Sequence, residues 1–236
     1  MNLRGFRALT FDVVGTLIDF EAGIVECVRR VAGSAWDGEE ILRAFGVEEG
    51  EQQRRTPELP FTQMLDPIST RLAARLDLPG LDGRGNPSPL RRSISAWPAF
   101  PDAPEALAGL HRRFRLVAVT NADNAALRAM SRTLGDPFDD SVTAEEVGAN
   151  KPDPRVFAYC QGRLSVLDIG RSDVLHVAQS QYHDIGVARR LGYATCWIER
   201  RRGRDGFGAT PAPSSVAVPD YHFGTLAELS AAAGQG

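Results

Sequence analysis

The chain has 236 residues, a formal net charge of −3 at pH 7 and 43% hydrophobic residues. That length and balance fit one globular core with an insertion, and the acidic charge argues against a nucleic-acid partner. No apolar run is long enough to cross a bilayer, no signal-peptide pattern opens the chain, and the three cysteines Cys27, Cys160 and Cys196 form no C-x-x-C pair. Reduced thiols and a cytoplasmic location are therefore expected.

The first strand is expected at residues 8–13, where the run Leu9-Thr10-Phe11 delivers Asp12 to a strand tip, with Gly15 and Thr16 just beyond. Residues 19–33 carry Phe20, Ile24, Cys27, Val28 and Val31 at helical spacing, and Gly33 marks the stop. A second helix is predicted at 37–46, opened by Asp37 as N-cap with Glu40 three residues on. Residues 47–60 read as polar and irregular, 62–76 as helix, and 78–92 as a Gly/Pro/Arg-rich return. From 98 onward strands and helices alternate. Helices are expected at 103–114, 124–134, 154–164, 184–191 and 225–233, and strands at 116–119, 174–178 and 194–198, with a short one at Val142. Residues 201–219 read as a loop rich in Gly, Pro and Ser. The basic run Arg200-Arg201-Arg202-Gly203-Arg204, beside Asp205, reads as solvated.

This alternation predicts an α/β fold, a doubly wound parallel sheet with helices on both faces. About a hundred residues separate Asp12 from the second strand, far more than one crossover helix needs. The division expected is a Rossmann-like core of residues 1–16 and 98–236, and a helical cap of residues 17–97 inserted after the first strand. Such a cap would shield a reacting centre at the strand tips from water.

Of the 27 basic residues only Lys151 is a lysine. Where arginine is otherwise the default cation, this points to a site that needs a compact ammonium with three rotatable donors. Strand tips should bring four segments to one edge of the sheet: Asp12 with Thr16, Thr120 with Asn121, Lys151, and Gln179 through Asp184.

In order and spacing these segments resemble the four motifs of the haloacid dehalogenase superfamily. Lys151-Pro152-Asp153-Pro154-Arg155-Val156-Phe157 and Ala194-Thr195-Cys196-Trp197-Ile198-Glu199-Arg200 resemble its type II 2-haloacid dehalogenase branch. The resemblance implies a hydrolase in which Asp12 is the nucleophile, Thr16 and Asn121 position it and the substrate, and Lys151 neutralises charge and lowers the Asp12 pKa. Asp12 would displace the C2 substituent of a small 2-substituted carboxylic acid, halide first of all, leaving an ester that water opens at the Asp12 carbonyl. Asp184 is the candidate base for that water, with an N-cap role as a compatible alternative. Thr120 and Asn121 are candidate donors to the substrate carboxylate. Arg43, about thirty residues beyond Asp12, is matched by distance alone to a cap arginine that cradles the halide; Arg54 and Arg55 are weaker candidates.

Several positions depart from the pattern. Val14 stands where the dehalogenases have Tyr and magnesium-dependent phosphatase relatives a second Asp. Gln179 replaces the metal-binding acid of those phosphatases, and Phe157 replaces a Tyr near Lys151. Gln181 would take an Asn role, and His183 would replace an aromatic pocket wall. No metal and no cofactor are expected, because both acids of the phosphatase pattern are missing. The alternatives left open are opening of an azetidine-2-carboxylate-type ring by the same nucleophile, a magnesium-dependent phosphatase, which the missing acids disfavour, and a binding module without turnover. The resemblance also implies a homodimer; neither a membrane nor a nucleic acid is expected as partner.

Overall fold

The computed structural model describes residues 3–33, 36–82 and 87–234. Six parallel strands form one sheet in the order β3-β2-β1-β4-β5-β6. They are β1 (Ala8–Phe11), β2 (Arg115–Thr120), β3 (Asp140–Thr143), β4 (Val174–Ala178), β5 (Ala194–Ile198) and β6 (Tyr221–Phe223). Among the described residues, β1 is followed by four inserted helices, α1 (Phe20–Ala32), α2 (Gly38–Arg55), α3 (Phe61–Leu76) and α4 (Pro89–Ser93). The remaining helices are α5 (Ala103–His111), α6 (Asn124–Thr133), α7 (Ala144–Val147), α8 (Pro154–Ser165), α9 (Gly186–Arg190) and α10 (Leu226–Gly234).

Side chains alternate across the strands, and the two faces of the sheet feed two apolar clusters. On one face Leu9, Phe11, Leu116 and Ala118 pack with Leu107 and Leu110 of α5, Leu127 and Met130 of α6, and Leu229 of α10. On the other, Ala8, Val117 and Val119 pack with Val156, Phe157 and Cys160 of α8 and with Val187 and Ala188 of α9. The first cluster continues without a break into the inserted helices, through Ile24, Phe45, Met64 and Leu72. One close approach fastens the insertion to its return segment. A Cβ on Gly23 would lie 2.2 Å from Trp97 Cδ1, so only glycine lets α1 lie against that indole.

Most elements fall within a few residues of the expectation, and Asp37 caps α2 through Glu40 N at 2.9 Å. Three differ for identifiable reasons. First, α2 runs on to Arg55 instead of stopping near 46. Its second half buries Glu48, Glu49, Gln52 and Gln53. A buried face made of polar side chains carries no hydrophobic periodicity to read, although Glu, Gln and Arg are good helix formers. Second, the short edge strand β6 follows the 201–219 loop and has only three residues of signal. Third, residues Gln181–Ile185 form a single π-helical turn before α9, capped by Ser180. Asp184 sits inside that turn and is not the helix N-cap.

The basic run after β5 is also not solvated as a unit. Arg200 reaches Asp102 at 2.8 Å and lies over the Phe100 ring, while Arg201 is buried between Glu21 and Glu39 at 2.6 Å each. Both glutamates sit in the first turns of α1 and α2, so the pairs draw the following loop down onto the inserted helices.

Candidate active site

Asp12 follows the last residue of β1, and its backbone N–H donates to Val177 O at 3.1 Å, keeping it in register with the tip of β4. The turn beyond it uses Gly15 at φ +94°, a backbone conformation that favours glycine. That turn carries Thr16 back so that its hydroxyl donates to Asp12 Oδ2 at 2.5 Å. The same hydroxyl accepts the Gln179 backbone N–H at 2.8 Å. Arg200 Nε donates to Thr16 O at 3.0 Å and fixes the turn from outside.

Lys151 is 1% exposed at the side chain and spends its three ammonium hydrogens on three oxygens. These are Asp12 Oδ1 at 2.9 Å, Asp184 Oδ1 at 2.8 Å and Val119 O at 2.7 Å. Such three-way donation suits an ammonium and not a planar guanidinium, which accounts for the one lysine among the basic residues. The Asn121 side chain grips the Lys151 backbone at both ends, Oδ1 accepting from Lys151 N at 2.7 Å and Nδ2 donating to Lys151 O at 3.0 Å.

Behind Asp184 lies a buried relay. His176 Nε2 is 3.0 Å from Asp184 Oδ1, and His176 Nδ1 is 2.9 Å from Thr10 Oγ1. Thr10 and His176 are register partners on β1 and β4. The Lys151 charge and the His176 bond hold the Asp184 pKa down, to about 2, against the burial that opposes them. A carboxylate of that strength accepts hydrogen bonds readily and takes up a proton poorly. Its Oδ2 is buried without a partner.

For Asp12, burial is the largest influence and raises its pKa above the ordinary carboxylate value. Lys151 pulls in the expected direction, downward, and the Asp184 charge pushes upward with burial. Proximity of the lysine thus does not by itself yield a depressed Asp12.

Asp12, Val14, Asn121, Lys151, His183 and Asp184 line one cavity, together with Phe20, Glu49, Phe61, Gln179, Ser180 and Thr210. Thr16 is fully buried just behind Asp12. Five expected or candidate site residues are not brought to the cavity. Arg43 lies on the exposed face of α2 and does not line it; a match by chain distance carries no information about which helix face a residue occupies. Arg54 and Arg55 are exposed too, paired with Glu51. Thr120 is buried and its Oγ1 accepts the Ala122 N–H at 3.2 Å, forming the turn into α6. Gln181 braces the long loop instead, accepting the Ala217 N–H at 3.0 Å and donating to Ala217 O at 3.3 Å.

The inserted helices add a wall that sequence reasoning missed. Glu49 and Gln53 project from the polar half of α2, and the Gln53 amide donates to Glu49 Oε1 at 3.1 Å. That amide also meets His183 Nε2 at 2.8 Å, and His183 Nδ1 lies 3.1 Å from Ser180 Oγ. Burial lowers the His183 pKa to about 4, so its imidazole is neutral at physiological pH. Burial raises the Glu49 pKa to about 8, reinforced by the Asp12 charge. The only sequence signal for this wall was the E-E-x-x-Q-Q spacing of residues 48–53, two residue pairs one helical turn apart.

A carboxylate presented at the tip of a parallel strand, with a buried lysine and a helical lid above it, defines an α/β hydrolase of capped type. Residues 6–192 match the sequence profile of the haloacid dehalogenase-like hydrolases, and the chain belongs to that family. It is 28% identical over 229 residues to (S)-2-haloacid dehalogenase 1 of Pseudomonas sp. (strain CBS-3), covering 94% of each chain. It is also 28% identical over 212 residues to the 5-amino-6-(5-phospho-D-ribitylamino)uracil phosphatase YigB of Escherichia coli (strain K12), covering 85% of this chain and 87% of that one. In fold it is similar to the L-2-haloacid dehalogenase of Xanthobacter autotrophicus, solved with chloropropionic acid covalently bound. The TM-score there is 0.74 at 19% identity, over 96% of this chain and 97% of that one.

Proposed function

We propose that the chain hydrolyses small 2-substituted carboxylic acids by displacing the C2 substituent with Asp12, in the manner of an (S)-2-haloacid dehalogenase and without a metal. The observation that carries this reading is the pairing of Asp12 with Lys151 in a cavity where Val14 and Gln179 stand in place of acids. Phosphoryl transfer of the magnesium-dependent kind needs oxygen ligands for the cation and an acid for the leaving group. Neither position offers a carboxylate, and the Lys151 ammonium already lies between Asp12 and Asp184. The relatives named as 2-haloacid dehalogenases support carbon as the atom attacked.

In the proposed sequence, ionised Asp12 attacks C2 and the leaving group departs with the bonding electrons, inverting the carbon. Thr16 holds Oδ2 and Lys151 holds Oδ1 of that carboxylate. Water then attacks the Asp12 carbonyl carbon, oriented through Asp184 Oδ2, and releases a 2-hydroxy acid. Asn121, Ser180 and Thr210 line the cavity where the substrate carboxylate would bind. A ring nitrogen as leaving group is the second reading, favoured by the absence of arginine among the described residues lining the cavity.

The test is halide release from L-2-chloropropionate and bromoacetate in EDTA, with Asp12→Asn as control. Release by the wild type, lost in the variant, supports displacement at carbon without metal. Release that stops in EDTA and returns with magnesium overturns the metal-independent part. Without release from either acid, halide is the wrong leaving group, and azetidine-2-carboxylate is assayed in the same buffer.

A further inference from the structure

Glu49 is the least expected residue of the cavity. It comes from α2, is 4% exposed, and stands among the groups that face Asp12. Its Oε1 is used, accepting from Gln53, but Oε2 is buried with no hydrogen-bond partner. A buried carboxylate oxygen without a donor is costly, whereas a carboxylic acid placed there offers an O–H to whatever enters. The other titratable groups lining the cavity are Asp12 from β1, Lys151 ahead of α8, and His183 and Asp184 from the π-helical turn. None of them neutralises Glu49. Lys151 is committed to Asp12, Asp184 and Val119, and Gln53 stands between Glu49 and the neutral His183.

Nor do the described residues offer a cationic cradle for a departing anion. Among the described residues no arginine lines the cavity, and its one ammonium is held on the Asp12 side. A halide leaves with its electron pair and needs no proton. An amine nitrogen must gain one as its bond to carbon breaks, and a neutral acid is the group that can supply it.

We propose that Glu49 is the proton donor to the leaving atom, and that the cavity accordingly takes 2-substituted acids whose departing group is an amine nitrogen, cyclic imino acids among them. This rests on the Asp12-ester reading and specifies its leaving-group side. In the first step Asp12 forms the O–C2 bond, the C2–N bond breaks, its electron pair goes to nitrogen, and the Glu49 proton follows. Glu49 is then a carboxylate beside the ester. In the second step it accepts a proton from the water attacking the Asp12 carbonyl; the acyl C–O bond breaks, the alcohol leaves, Asp12 returns ionised and Glu49 neutral. One residue thus serves as acid and then base, and Asp184, held through Oδ1 by Lys151 and His176, orients the water through Oδ2.

The experiment compares azetidine-2-carboxylate with bromoacetate on wild type, Glu49→Gln and Glu49→Asp, and follows the mass of the Asp12 peptide after rapid quenching. Expected is a fall of at least about a hundredfold in the nitrogen-to-bromide ratio of kcat/KM in Glu49→Gln, the low end of what a positioned acid contributes. Glu49→Asp should recover part of it. Infrared spectra of the wild type grown on carboxyl-¹³C glutamate should show an isotope-shifted protonated carboxyl at neutral pH. Equal losses on both substrates, or a glutamate pool that is fully ionised at pH 6, would overturn the proposal. An Asp12 peptide that gains mass from neither substrate sinks the ester reading instead, and the infrared band then still decides whether the cavity holds a neutral acid.

Discussion

Lys151 Nζ lies 2.9 Å from Asp12 Oδ1, and both side chains are closed off from solvent. A buried pair of this kind is costly to break, because removing one partner strands the other's charge. Here removal of the ammonium would strand two carboxylates, since Asp184 depends on it as well. Lys151→Ala should lower stability by about 3–5 kcal/mol, read from urea unfolding at pH 7. Lys151→Arg should also be destabilised and inactive, because a planar fork cannot reach Val119 O, Asp12 and Asp184 at once.

Asp12→Asn removes the nucleophile; the amide oxygen can still accept from Lys151, while its NH2 must donate to Thr16 Oγ1 instead of accepting from it. Turnover should fall by at least about a thousandfold. In a single turnover in ¹⁸O-water the wild-type label should enter Asp12 first and reach the product only on later cycles. Label that goes straight into the product would mean that water attacks the substrate carbon directly.

Three buried groups shape the pH dependence of stability, each with its own sign, beside Asp12, whose raised pKa acts in the same direction as that of Glu49. Asp184 is lowered from 3.8 to about 2, so its contribution is present above pH 3.8 and is lost as pH falls towards 2. His183 is lowered from 6.5 to about 4; the unfolded chain binds its proton first, so stability falls as pH drops from 6.5 to 4. Glu49 is raised from 4.5 to about 8; the unfolded chain loses its proton first, so stability falls as pH rises from 4.5 to 8. The last two oppose each other between 4.5 and 6.5. Above pH 6.5 only the Glu49 slope remains of the three, up to about 1.4 kcal/mol per pH unit. Glu49→Gln should flatten urea midpoints between pH 6.5 and 8, and His183→Gln should leave that limb unchanged while flattening its part of the acid limb.

Gly23→Ala would drive a methyl into the Trp97 indole. Overpacking of this sort costs about 1–3 kcal/mol. A lowered Tm with a shift in tryptophan emission is expected, and an unchanged Tm would mean that α1 can move away from the return segment freely.

Arg43 is the counter-case. On an exposed helix face, outside the cavity, Arg43→Ala should change stability by less than about 0.5 kcal/mol and leave kcat/KM within twofold. A large loss of activity would restore it as the leaving-group cradle and count against Glu49 in that place.

The sequence by itself determined the sheet-and-helix alternation and the four strand-tip segments. Periodicity is a local property, and parallel strands present their C-terminal ends together wherever the helices lie. It also marked Lys151, because a residue type used once stands out without any coordinates. The tertiary structure alone decided which groups from the insertion face Asp12. Glu49 and Gln53 belong to a buried face that is polar, so the apolar pattern that reveals buried faces is missing there, and Arg43 shares their helix yet points outward. It decided as well that Gln181 braces a loop while His183, two residues on, lines the cavity. The π-helical turn sets that difference, and turn geometry, unlike strand order, depends on what packs against it.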